Sequence, residues 1–445
     1  MTPQSPPSEE KLIVTGNRTL MGTVSIRGAK NSVLKLMAAA LLTSEPVHIK
    51  NVPDISDVRV MIEVLRHLGA TVEFSNNTLH IQASEFATHE APNKYVTKMR
   101  ASFNVLAPLL ARGGQTKVAL PGGCSIGKRG VDLHIKGLQA LGAEVDIEHG
   151  CVVAKASQLT GADIVFDLPS VGATENVMVA AVLAEGKTTI SNPAQEPEII
   201  DLADFLNQMG AEIHGAGTNE ITIHGVKASK LRGIQQYEVV PDRIEAATYL
   251  IAGAATHGDV TVEHVRPTHI QAALSKLSDM GANITYPTPT SIRVQAPNKL
   301  VGQNITTLPY PGIPTDLQAP LMALTTRCTG TSCIRETIYE NRFTHVGQLR
   351  RMGAVIDQDG NTAIITGVDT LSGAAVKATD LRAGAALIIA GLMADGYTEI
   401  TNLTHLDRGY ENVEAKFTML GADIRRVPIE QSNTMHTLDS LDSLS

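Results

Sequence analysis

The sequence predicts an α/β protein built from two similar domains, each with buried helices at its centre and β-sheets around them. Three observations predict this architecture: the length of 445 residues, a pattern that recurs six times, and a second, more apolar helix in every repeat. A chain of this length is too long for one ordinary hydrophobic core, so we expect more than one domain.

The recurring pattern is an amphipathic helix that ends in Leu-Gly-Ala or Met-Gly-Ala and is followed by a short strand. Such regular spacing indicates structural repeats of about 70 residues. Glycine takes the left-handed conformation that ends a helix, and the residues after it alternate as in a half-buried strand. The glycines of the six copies are Gly69, Gly142, Gly210, Gly281, Gly353 and Gly421.

The second helix of each repeat is apolar on most sides, so it must be buried. Each repeat therefore has one buried helix, one surface helix and about four strands. Three repeats can share a central bundle of buried helices wrapped by sheets, with the amphipathic helices outside, and six repeats make two such domains. An extended solenoid that only binds partners is the alternative, but its repeats are usually shorter. The predicted buried helices are 30–42, 98–112, 173–185, 242–257, 316–329 and 380–395.

Composition excludes several classes of protein. The net charge of −8, from 37 basic and 45 acidic residues, argues against a general binder of nucleic acid or membrane surfaces. The four scattered cysteines indicate reduced thiols in a cytosolic protein and no zinc site. The start of the chain lacks a secretory signal, and no apolar run is long enough for a membrane span. The polar tail 429–445 is expected to be disordered.

Basic residues occupy positions where helix geometry does not favour them. Lys30, Arg100, Arg243 and Arg382 stand at or near the starts of predicted buried helices. A helix N-terminus repels a cation, which suggests an anion held between the side chain and the free helix N–H groups. If the buried helices run parallel, their starts meet in one cationic cleft between the domains, suited to a multiply anionic substrate.

A glycine-rich stretch at 119–134 holds a thiol, two cations, a carboxylate and an imidazole. This composition fits a binding loop or a reactive surface turn, because glycines let the backbone approach a ligand closely. Neighbouring cations, Lys128 and Arg129, would lower the pKa of the Cys124 thiol. The turn at 170–174 could be a small nest of backbone donors, although such turns also simply begin helices.

Together these stretches resemble the enolpyruvyl transferases, in particular those that act on UDP-N-acetylglucosamine. The resemblance extends from about residue 11 to 427, and the Pro-Gly-Gly-Cys loop is not expected in the related shikimate enzymes. The matching stretches are 28–31, 98–102, 120–127, 129–134, 170–174, 196–199, 241–245, 314–316, 340–343, 378–382 and 407–411.

The resemblance implies a two-domain inside-out α/β barrel that closes over its substrates. Residues 1–29 and 241–428 would form the catalytic domain. Residues 30–240 would form the UDP-sugar-side domain, with the Cys124 loop as its lid, and 429–445 the tail.

It also implies a reaction: transfer of the enolpyruvyl group of phosphoenolpyruvate to the 3-hydroxyl of UDP-N-acetylglucosamine, with release of phosphate, in the first committed step of peptidoglycan synthesis. The protein would act in the cytoplasm, with these two small molecules as partners and no nucleic acid or membrane. Neither a metal nor another cofactor is implied, because arginines stabilise the developing charge.

The resemblance assigns the site residues as well. Cys124 would donate a proton and Asp316 would be the base, with Lys30 and Arg408 also catalytic. Phosphate would contact Lys30, Arg129 and Arg408, and the substrate carboxylate Arg342 and Arg382. The full expected set for phosphoenolpyruvate is Lys30, Asn31, Arg129, Arg342, Arg382 and Arg408. The set for the UDP-sugar is Arg100, Arg129, Gly130, Val131, Asp132, Leu133, His134, Ser170, Val171, Gly172, Asp316 and Ile338.

One departure and two alternatives stay open. Leu168 stands where some members of the family have lysine, which puts one charged contact to the nucleotide in doubt. The acceptor could be another hydroxyl compound such as shikimate 3-phosphate, although 129–134 and 170–172 argue against it. A non-catalytic repeat scaffold is the other alternative. The oligomeric state and the resting position of the Cys124 loop do not follow from the sequence.

Overall fold

A computed structural model describes residues 9–91, 93–96, 99–121, 127, 130–296 and 299–429. The predicted roles of Cys124 and Arg129, and the expected disorder of the tail from residue 430 onward, concern positions outside the described residues.

The described residues form thirteen α-helices and six short 3₁₀ helices. In chain order the α-helices are α1 (Lys30–Ala39), α2 (Ser56–His67), α3 (Asn93–Val96), α4 (Leu106–Gly113), α5 (Asp132–Ala140), α6 (Val171–Ala181), α7 (Pro197–Gln208), α8 (Arg243–Ala255), α9 (Gln271–Asp279), α10 (Gln318–Thr325), α11 (Val346–Arg351), α12 (Leu381–Met393) and α13 (Val413–Met419). The 3₁₀ helices are Ala40–Leu42, Arg100–Val105, Ala228–Lys230, Pro267–Ile270, Thr315–Leu317 and Leu403–Arg408.

The strands are short, mostly three to six residues. They are β1 (Glu10–Thr15), β2 (Met21–Ser25), β3 (Val47–Lys50), β4 (Thr71–Ser75), β5 (Thr78–Gln82), β6 (Glu90–Ala91), β7 (Gln115–Ala119), β8 (Glu144–Glu148), β9 (Cys151–Lys155), β10 (Asp163–Val165), β11 (Lys187–Ser191), β12 (Glu212–His214), β13 (Glu220–His224), β14 (Ile234–Glu238), β15 (Asp259–Glu263), β16 (Asn283–Thr285), β17 (Ser291–Gln295), β18 (Ile305–Thr306), β19 (Thr331–Arg335), β20 (Val355–Asp359), β21 (Thr362–Thr366), β22 (Leu371–Ser372), β23 (Ala375–Lys377), β24 (Ala394–Asp395), β25 (Tyr397–Thr401) and β26 (Ile424–Pro428).

The predicted buried helices are confirmed as buried helical segments, although those at 30–42, 98–112 and 316–329 each combine an α-helix with a short 3₁₀ helix. Every residue of α8 is buried, and so is every residue of α12 after Leu381. Helices α8, α10 and α12 pack on one another in the second half, as α4 packs on α6 in the first. Small residues allow this packing: a Cβ at Gly253 of α8 would lie 2.8 Å from Cβ of Val260 on β15. A helix buried on all sides needs such close neighbours.

Six four-stranded sheets surround these helices, and a two-stranded sheet (β22-β24) adds to them. All six share one plan: an outer strand pairs in parallel with the next strand, and the remaining two pairings are antiparallel. About four strands per repeat, as predicted, therefore assemble into one sheet per repeat. The strand orders are β14-β3-β5-β4, β6-β7-β9-β8, β10-β11-β13-β12, β16-β17-β15-β2, β18-β19-β21-β20 and β23-β25-β1-β26.

The amphipathic helices end as the recurring pattern predicts. The six glycines of the pattern have φ angles from 87° to 107°, in the left-handed region that only glycine adopts easily. The helices themselves lie closer to the centre than expected, since α2, α5, α7, α9 and α11 each contact a buried helix as well as a strand.

The apolar side chains form two separate cores. One draws on residues 33–239, and the other combines residues 12–26 with 244–424. The N-terminal strands β1 and β2 belong to the second core, because β1 pairs with β25 and β26 and β2 pairs with β15. Among the described residues, no helix has both the length and the apolar character needed to cross a membrane.

The chain passes between the two cores twice, and the two passages lie side by side. The amide of Ala29 donates to the carbonyl of Val240 at 2.7 Å, and the amide of Asp242 donates to the carbonyl of Arg27 at 2.9 Å. Helices α1 and α8 start immediately after these passages. The pairing therefore brings the first buried helices of the two halves together at their N-termini.

Candidate active site

The N-termini of buried helices from both halves meet at one place. The backbone N–H of Lys30, the first residue of α1, donates to the carboxylate of Asp242, the N-cap of α8, at 3.1 Å. Asn31 Nδ2 lies 3.5 Å from Asp316 Oδ2, just before α10. Arg382, in the first turn of α12, contacts the same Asp316. The prediction that the charged helix starts converge is confirmed for these four helices.

The first cation pair of the site is held by Asp57, in the first turn of α2. Lys30 Nζ lies 3.0 Å from Asp57 Oδ2, and Arg408 Nε lies 3.0 Å from Asp57 Oδ1. Burial lowers the pKa of Lys30 below its ordinary value, Asp57 opposes this, and nearby Arg408 and Arg382 lower it further. Lys30 and Arg408, brought from the two halves, thus share one buried carboxylate.

The second cation pair is held by Asp316. Arg342 Nη2 lies 2.7 Å from Asp316 Oδ1, and Arg382 Nη2 lies 3.0 Å from Oδ2. Burial acts to raise the pKa of Asp316, but the two guanidinium groups outweigh it and hold this pKa well below its ordinary value. Asp316 is therefore an ionised carboxylate at neutral pH, and a weak base while both arginines contact it.

These two pairs can bind anions other than the aspartates that hold them. Both side chains of the second pair are buried, and the other group beside Arg382 Nε and Nη1 among the described residues is Tyr410, whose ring centroid lies 5.3 Å from the guanidinium carbon. A buried guanidinium with unused donors favours a further oxygen ligand. A ligand with two anionic groups could compete with Asp57 at one pair and with Asp316 at the other.

The first half contributes a neighbouring surface built on α5 and α6. Arg100 Nη2 donates to the carbonyl of Gly130 at 3.2 Å, and α5 starts two residues later at Asp132. Ser170 caps α6, accepting from the amide of Ala173. A Cβ at Gly172 would lie 3.0 Å from the His134 ring, so the structure brings 130–134 and 170–172 together.

His134 is a neutral imidazole at this surface. It is 5% exposed and packs edge-on against Phe103, with ring centroids 5.3 Å apart. Burial, with a smaller contribution from Arg100, lowers the pKa of His134 to about 3. The ring can therefore contact a ligand as a neutral hydrogen-bonding group rather than as a cation.

A buried polar network fixes α6 relative to α1 below this surface. Asn176 Nδ2 donates to the carbonyl of Gly172 at 3.1 Å and to Asn104 Oδ1 at 3.2 Å. Glu175 accepts from Asn104 Nδ2 at 3.2 Å and pairs with Lys35 of α1 at 3.1 Å. The turn at 170–172 is thereby linked to the helix that carries Lys30 and Asn31.

Ile338 lies on the other side, in the segment between β19 and Arg342. Its amide donates to Glu336 Oε1 at 2.8 Å. Because Glu336 also accepts from Thr315, the residue before Asp316, the segment with Ile338 is tied to the Asp316 cluster.

Known proteins resemble this chain over most of its length. The family model of EPSP synthase (3-phosphoshikimate 1-carboxyvinyltransferase) matches residues 14–417. The chain belongs to this enolpyruvyl transferase family.

Relatives within the family are similar over nearly their whole length. The UDP-N-acetylglucosamine 1-carboxyvinyltransferase 1 of Caldanaerobacter subterraneus subsp. tengcongensis is 52% identical over 416 residues, which cover 94% of this chain and 99% of the relative. The UDP-N-acetylglucosamine 1-carboxyvinyltransferase of Desulfosudis oleivorans is 51% identical over 418 residues, with the same coverage.

Solved structures of the family share the fold. The enolpyruvyl transferase NikO from Streptomyces tendae has a TM-score of 0.86 and 27% identity, and the match covers 95% of this chain and all of that one. The EPSP synthase from Acinetobacter baumannii has a TM-score of 0.73 at 19% identity, over 94% of this chain, which establishes likeness of fold alone.

Arg243, which the sequence predicts to hold a ligand anion, is instead paired with the Glu198 carboxylate. Arg243 Nε lies 3.0 Å and 3.2 Å from the two carboxylate oxygens of Glu198, and both side chains are buried. The sequence pattern correctly indicated an anion at the start of α8, but Glu198 on α7 of the other half supplies it. Arg243 thus joins the halves.

Three residues of the cluster escaped the sequence analysis: Asp57, Thr315 and Glu336. Asp57 resembles an ordinary acid in the first turn of an amphipathic helix, where the helix dipole alone accounts for it. Thr315 resembles a helix-start residue, and Glu336 a polar residue after a strand. Only their burial distinguishes Asp57 and Glu336, which are 3% and 1% exposed.

The Cys124 loop contacts the second half at Gly127. A Cβ at this position would lie 2.5 Å from Glu340 Oε2, and the φ of Gly127 is 147°. Glycine is therefore favoured here by the backbone conformation, whereas the exposed Glu340 side chain could move away from a Cβ.

Proposed function

We propose that the protein transfers the enolpyruvyl group of phosphoenolpyruvate to the 3-hydroxyl of UDP-N-acetylglucosamine and releases inorganic phosphate. The observation that carries this proposal is the pair of cation clusters, Lys30 with Arg408 and Arg342 with Arg382, each sharing one carboxylate. Phosphoenolpyruvate has a phosphate at one end and a carboxylate at the other. Relatives of that name are 52% identical over nearly their full length, which supports the same acceptor.

The phosphate would bind Lys30 and Arg408 in competition with Asp57, with Arg129 as a third cation. The carboxylate would bind Arg342 and Arg382. Charge-assisted hydrogen bonds from guanidinium groups suit both anions.

Binding of the carboxylate would also activate the base. Asp316 and the substrate carboxylate compete for the same two guanidinium groups. As Asp316 loses these contacts, its pKa rises toward the ordinary value, because the cations no longer stabilise the ionised form. Asp316 then accepts the proton of the sugar 3-hydroxyl more readily, and only when phosphoenolpyruvate is present.

The chemistry needs a proton at the methylene carbon of phosphoenolpyruvate. We assign that proton to the Cys124 thiol on the basis of the family resemblance. Protonation makes the adjacent carbon electrophilic, the 3-hydroxyl adds as Asp316 takes its proton, and a tetrahedral intermediate forms. Loss of a proton from the new methyl group and departure of phosphate restore the double bond. The cations stabilise the phosphate throughout.

The UDP-sugar would bind across α5 and α6. Residues 130–134 and 170–172 offer backbone donors at two helix starts, where anions are stabilised. Arg100 and Arg129 would add charge, and Ile338 and Asp316 would contact the sugar from the second half. Leu168 is largely exposed. We therefore propose no charged contact between residue 168 and the nucleotide.

We also propose that residues 30–240 and the remainder, 1–29 with 241–428, are the two domains. The two separate apolar cores support this division. Action in the cytoplasm is supported by the thiols of Cys151, Cys328 and Cys333, which are all free.

The test is direct. Purified protein is mixed with phosphoenolpyruvate and UDP-N-acetylglucosamine, and phosphate release and the mass of the sugar product are measured. We expect one phosphate released per enolpyruvyl group transferred, and no release when shikimate 3-phosphate replaces the UDP-sugar. Turnover with shikimate 3-phosphate, or none with either acceptor, would overturn the proposal.

A further inference from the structure

We propose that Glu336 and Thr315 are positioning residues that orient Arg342 for the substrate carboxylate. They do so through a chain of two hydrogen bonds, in which Arg342 donates to Thr315 and Thr315 donates to Glu336. The inference rests on the proposed function, because it concerns the same site. It adds two residues to that site that do not themselves touch the reacting atoms.

Glu336 is the buried end of the chain. It follows β19 and is 1% exposed. Its Oε1 accepts from the amide of Ile338 at 2.8 Å, from the amide of Tyr339 at 3.2 Å and from Thr307 Oγ1 at 2.8 Å. One carboxylate oxygen therefore fixes the backbone of the segment that carries Ile338.

The other oxygen leads to the arginine pair. Glu336 Oε2 accepts from Thr315 Oγ1 at 2.9 Å, and Thr315 Oγ1 lies 2.9 Å from Arg342 Nη1. Arg342 in turn contacts Asp316 through Nη2 at 2.7 Å. The chain thus connects a buried carboxylate to the proposed base through one hydroxyl and one guanidinium group.

The direction of this chain follows from its chemistry. A guanidinium group only donates, so the Thr315 oxygen must accept from Arg342. Its single hydrogen must then point at Glu336, which as a carboxylate only accepts. With these two ends fixed, the hydroxyl has one orientation, and Arg342 Nη1 has a defined acceptor whether or not Nη2 contacts Asp316.

An amide at position 336 cannot keep this arrangement. Three donors converge on Oε1, so the single oxygen of glutamine has to occupy that place. The NH₂ group of the glutamine then faces Thr315. The Thr315 oxygen would face two donors, this NH₂ group and Arg342 Nη1, and the Thr315 hydroxyl hydrogen would lose its acceptor. A buried donor without an acceptor is costly, so the hydroxyl or Arg342 must turn away.

The expected consequence is weaker binding of the substrate carboxylate by Arg342. Arg342 released from Thr315 would sample other rotamers, and phosphoenolpyruvate would have to order it on binding. The Asp316 carboxylate would also lose its contact with Arg342. Its remaining neighbours would be Arg382, Arg243 and Asn31. Without Arg342 the pKa of Asp316 would rise, so the acid limb of the pH–rate profile would move to higher pH.

The experiment compares Thr315→Val, Thr315→Ser, Glu336→Gln and the Thr315→Val/Glu336→Gln double variant by steady-state kinetics. We expect Thr315→Val and Glu336→Gln each to raise KM for phosphoenolpyruvate about tenfold. KM for UDP-N-acetylglucosamine should stay within about twofold, because the amide oxygen still serves Ile338 and Tyr339. Thr315→Ser should restore the wild-type constants, and the double variant should resemble either single one, because both changes break one chain.

Thr325→Val is the matched control. Thr315 is half-buried and Thr325, at the end of α10, is buried, but the Thr325 hydroxyl donates to the carbonyl of Met322 in its own helix. It should lose some stability while its KM and pH profile stay unchanged. Circular dichroism and unfolding curves of all variants separate misfolding from mispositioning.

Two outcomes would overturn the inference. One is a wild-type KM for phosphoenolpyruvate and an unmoved acid limb in folded Thr315→Val. The other is full additivity of the two single variants, which would mean that they act separately. Either result leaves the proposed function intact as long as the wild-type protein turns over, whereas absence of wild-type turnover would remove the proposed function first.

Discussion

Arg408 and Asp57 bind each other across the two halves of the protein, although 351 positions separate them in the chain. Arg408 donates from Nε at 3.0 Å and from Nη2 at 3.3 Å, and Lys30 contacts the same carboxylate. Asp57 is thus the internal anion of the proposed phosphate site.

Replacement of this anion should strengthen the binding of phosphate. In Asp57→Asn, two neighbouring cations lose their carboxylate, so folding stability should fall by about 3 kcal/mol. Inorganic phosphate no longer competes with Asp57, so its inhibition constant should fall severalfold. Thermal unfolding with and without phosphate, and product inhibition, measure both effects.

Asp54→Asn is the control for this prediction. Asp54 pairs with Arg59 at an exposed position of the same segment, where an ion pair contributes little. Asp54→Asn should change neither the folding stability nor the inhibition constant of phosphate. Equal phosphate inhibition in Asp57→Asn and wild type would show that Asp57 and phosphate do not share a site.

Asp316→Asn should separate binding from catalysis. The amide is nearly isosteric but cannot accept the hydroxyl proton, so turnover should fall about a hundredfold or more. Phosphoenolpyruvate should still bind, because Arg342 and Arg382 lose a competitor. Phosphate release gives the rate, and calorimetric titration gives the affinity. Turnover close to the wild-type rate would remove Asp316 from its role as base.

His134 should make the protein sensitive to acid. Its pKa is about 3 in the folded protein and about 6.5 when unfolded, so the unfolded state takes up the proton first. The stabilising contribution is complete above pH 6.5 and is lost as the pH falls from there toward 3. Between pH 7 and pH 5 this one side chain should account for about 2 kcal/mol.

Urea unfolding at both pH values measures this effect. In His134→Gln the loss of stability between pH 7 and pH 5 should be smaller than in wild type by that amount. His67→Gln, at an exposed position of α2, should leave the difference unchanged. An identical pH dependence in His134→Gln and wild type would contradict a neutral buried imidazole.

Cys124→Asp should keep measurable turnover, because a carboxyl group can also donate a proton. It should resist thiol-directed epoxides, which alkylate a reactive thiolate. Cys151→Ser should remain as sensitive as wild type, because Cys151, which pairs with Ala119 at the start of the loop, is not the assigned proton donor. Inactivation rates with and without the UDP-sugar test this, and continued sensitivity of Cys124→Asp would place the reactive thiol elsewhere.

The repeats made the fold predictable, because helix ends and strand alternation are local properties. The converging helix starts were predictable for a similar reason: Lys30 and Arg382 stand where a helix dipole disfavours cations. The partners of these cations were not. Asp57 and Glu198 are ordinary acids in the first turns of helices, and only the folded chain places them against Arg408 and Arg243. Long-range charge pairing leaves no local trace in a single sequence.

The paired passages between the halves have a mechanical consequence. Because the two passages are hydrogen-bonded to each other at Ala29 and Val240, they would act as a single pivot rather than two independent tethers. A swing of one half against the other would turn about this pivot. Lys30 follows it directly and so moves least, while distant parts of the cleft rim travel furthest. In that case a ligand could enter and leave the cleft while Lys30, the proposed phosphate-binding cation, stays almost stationary.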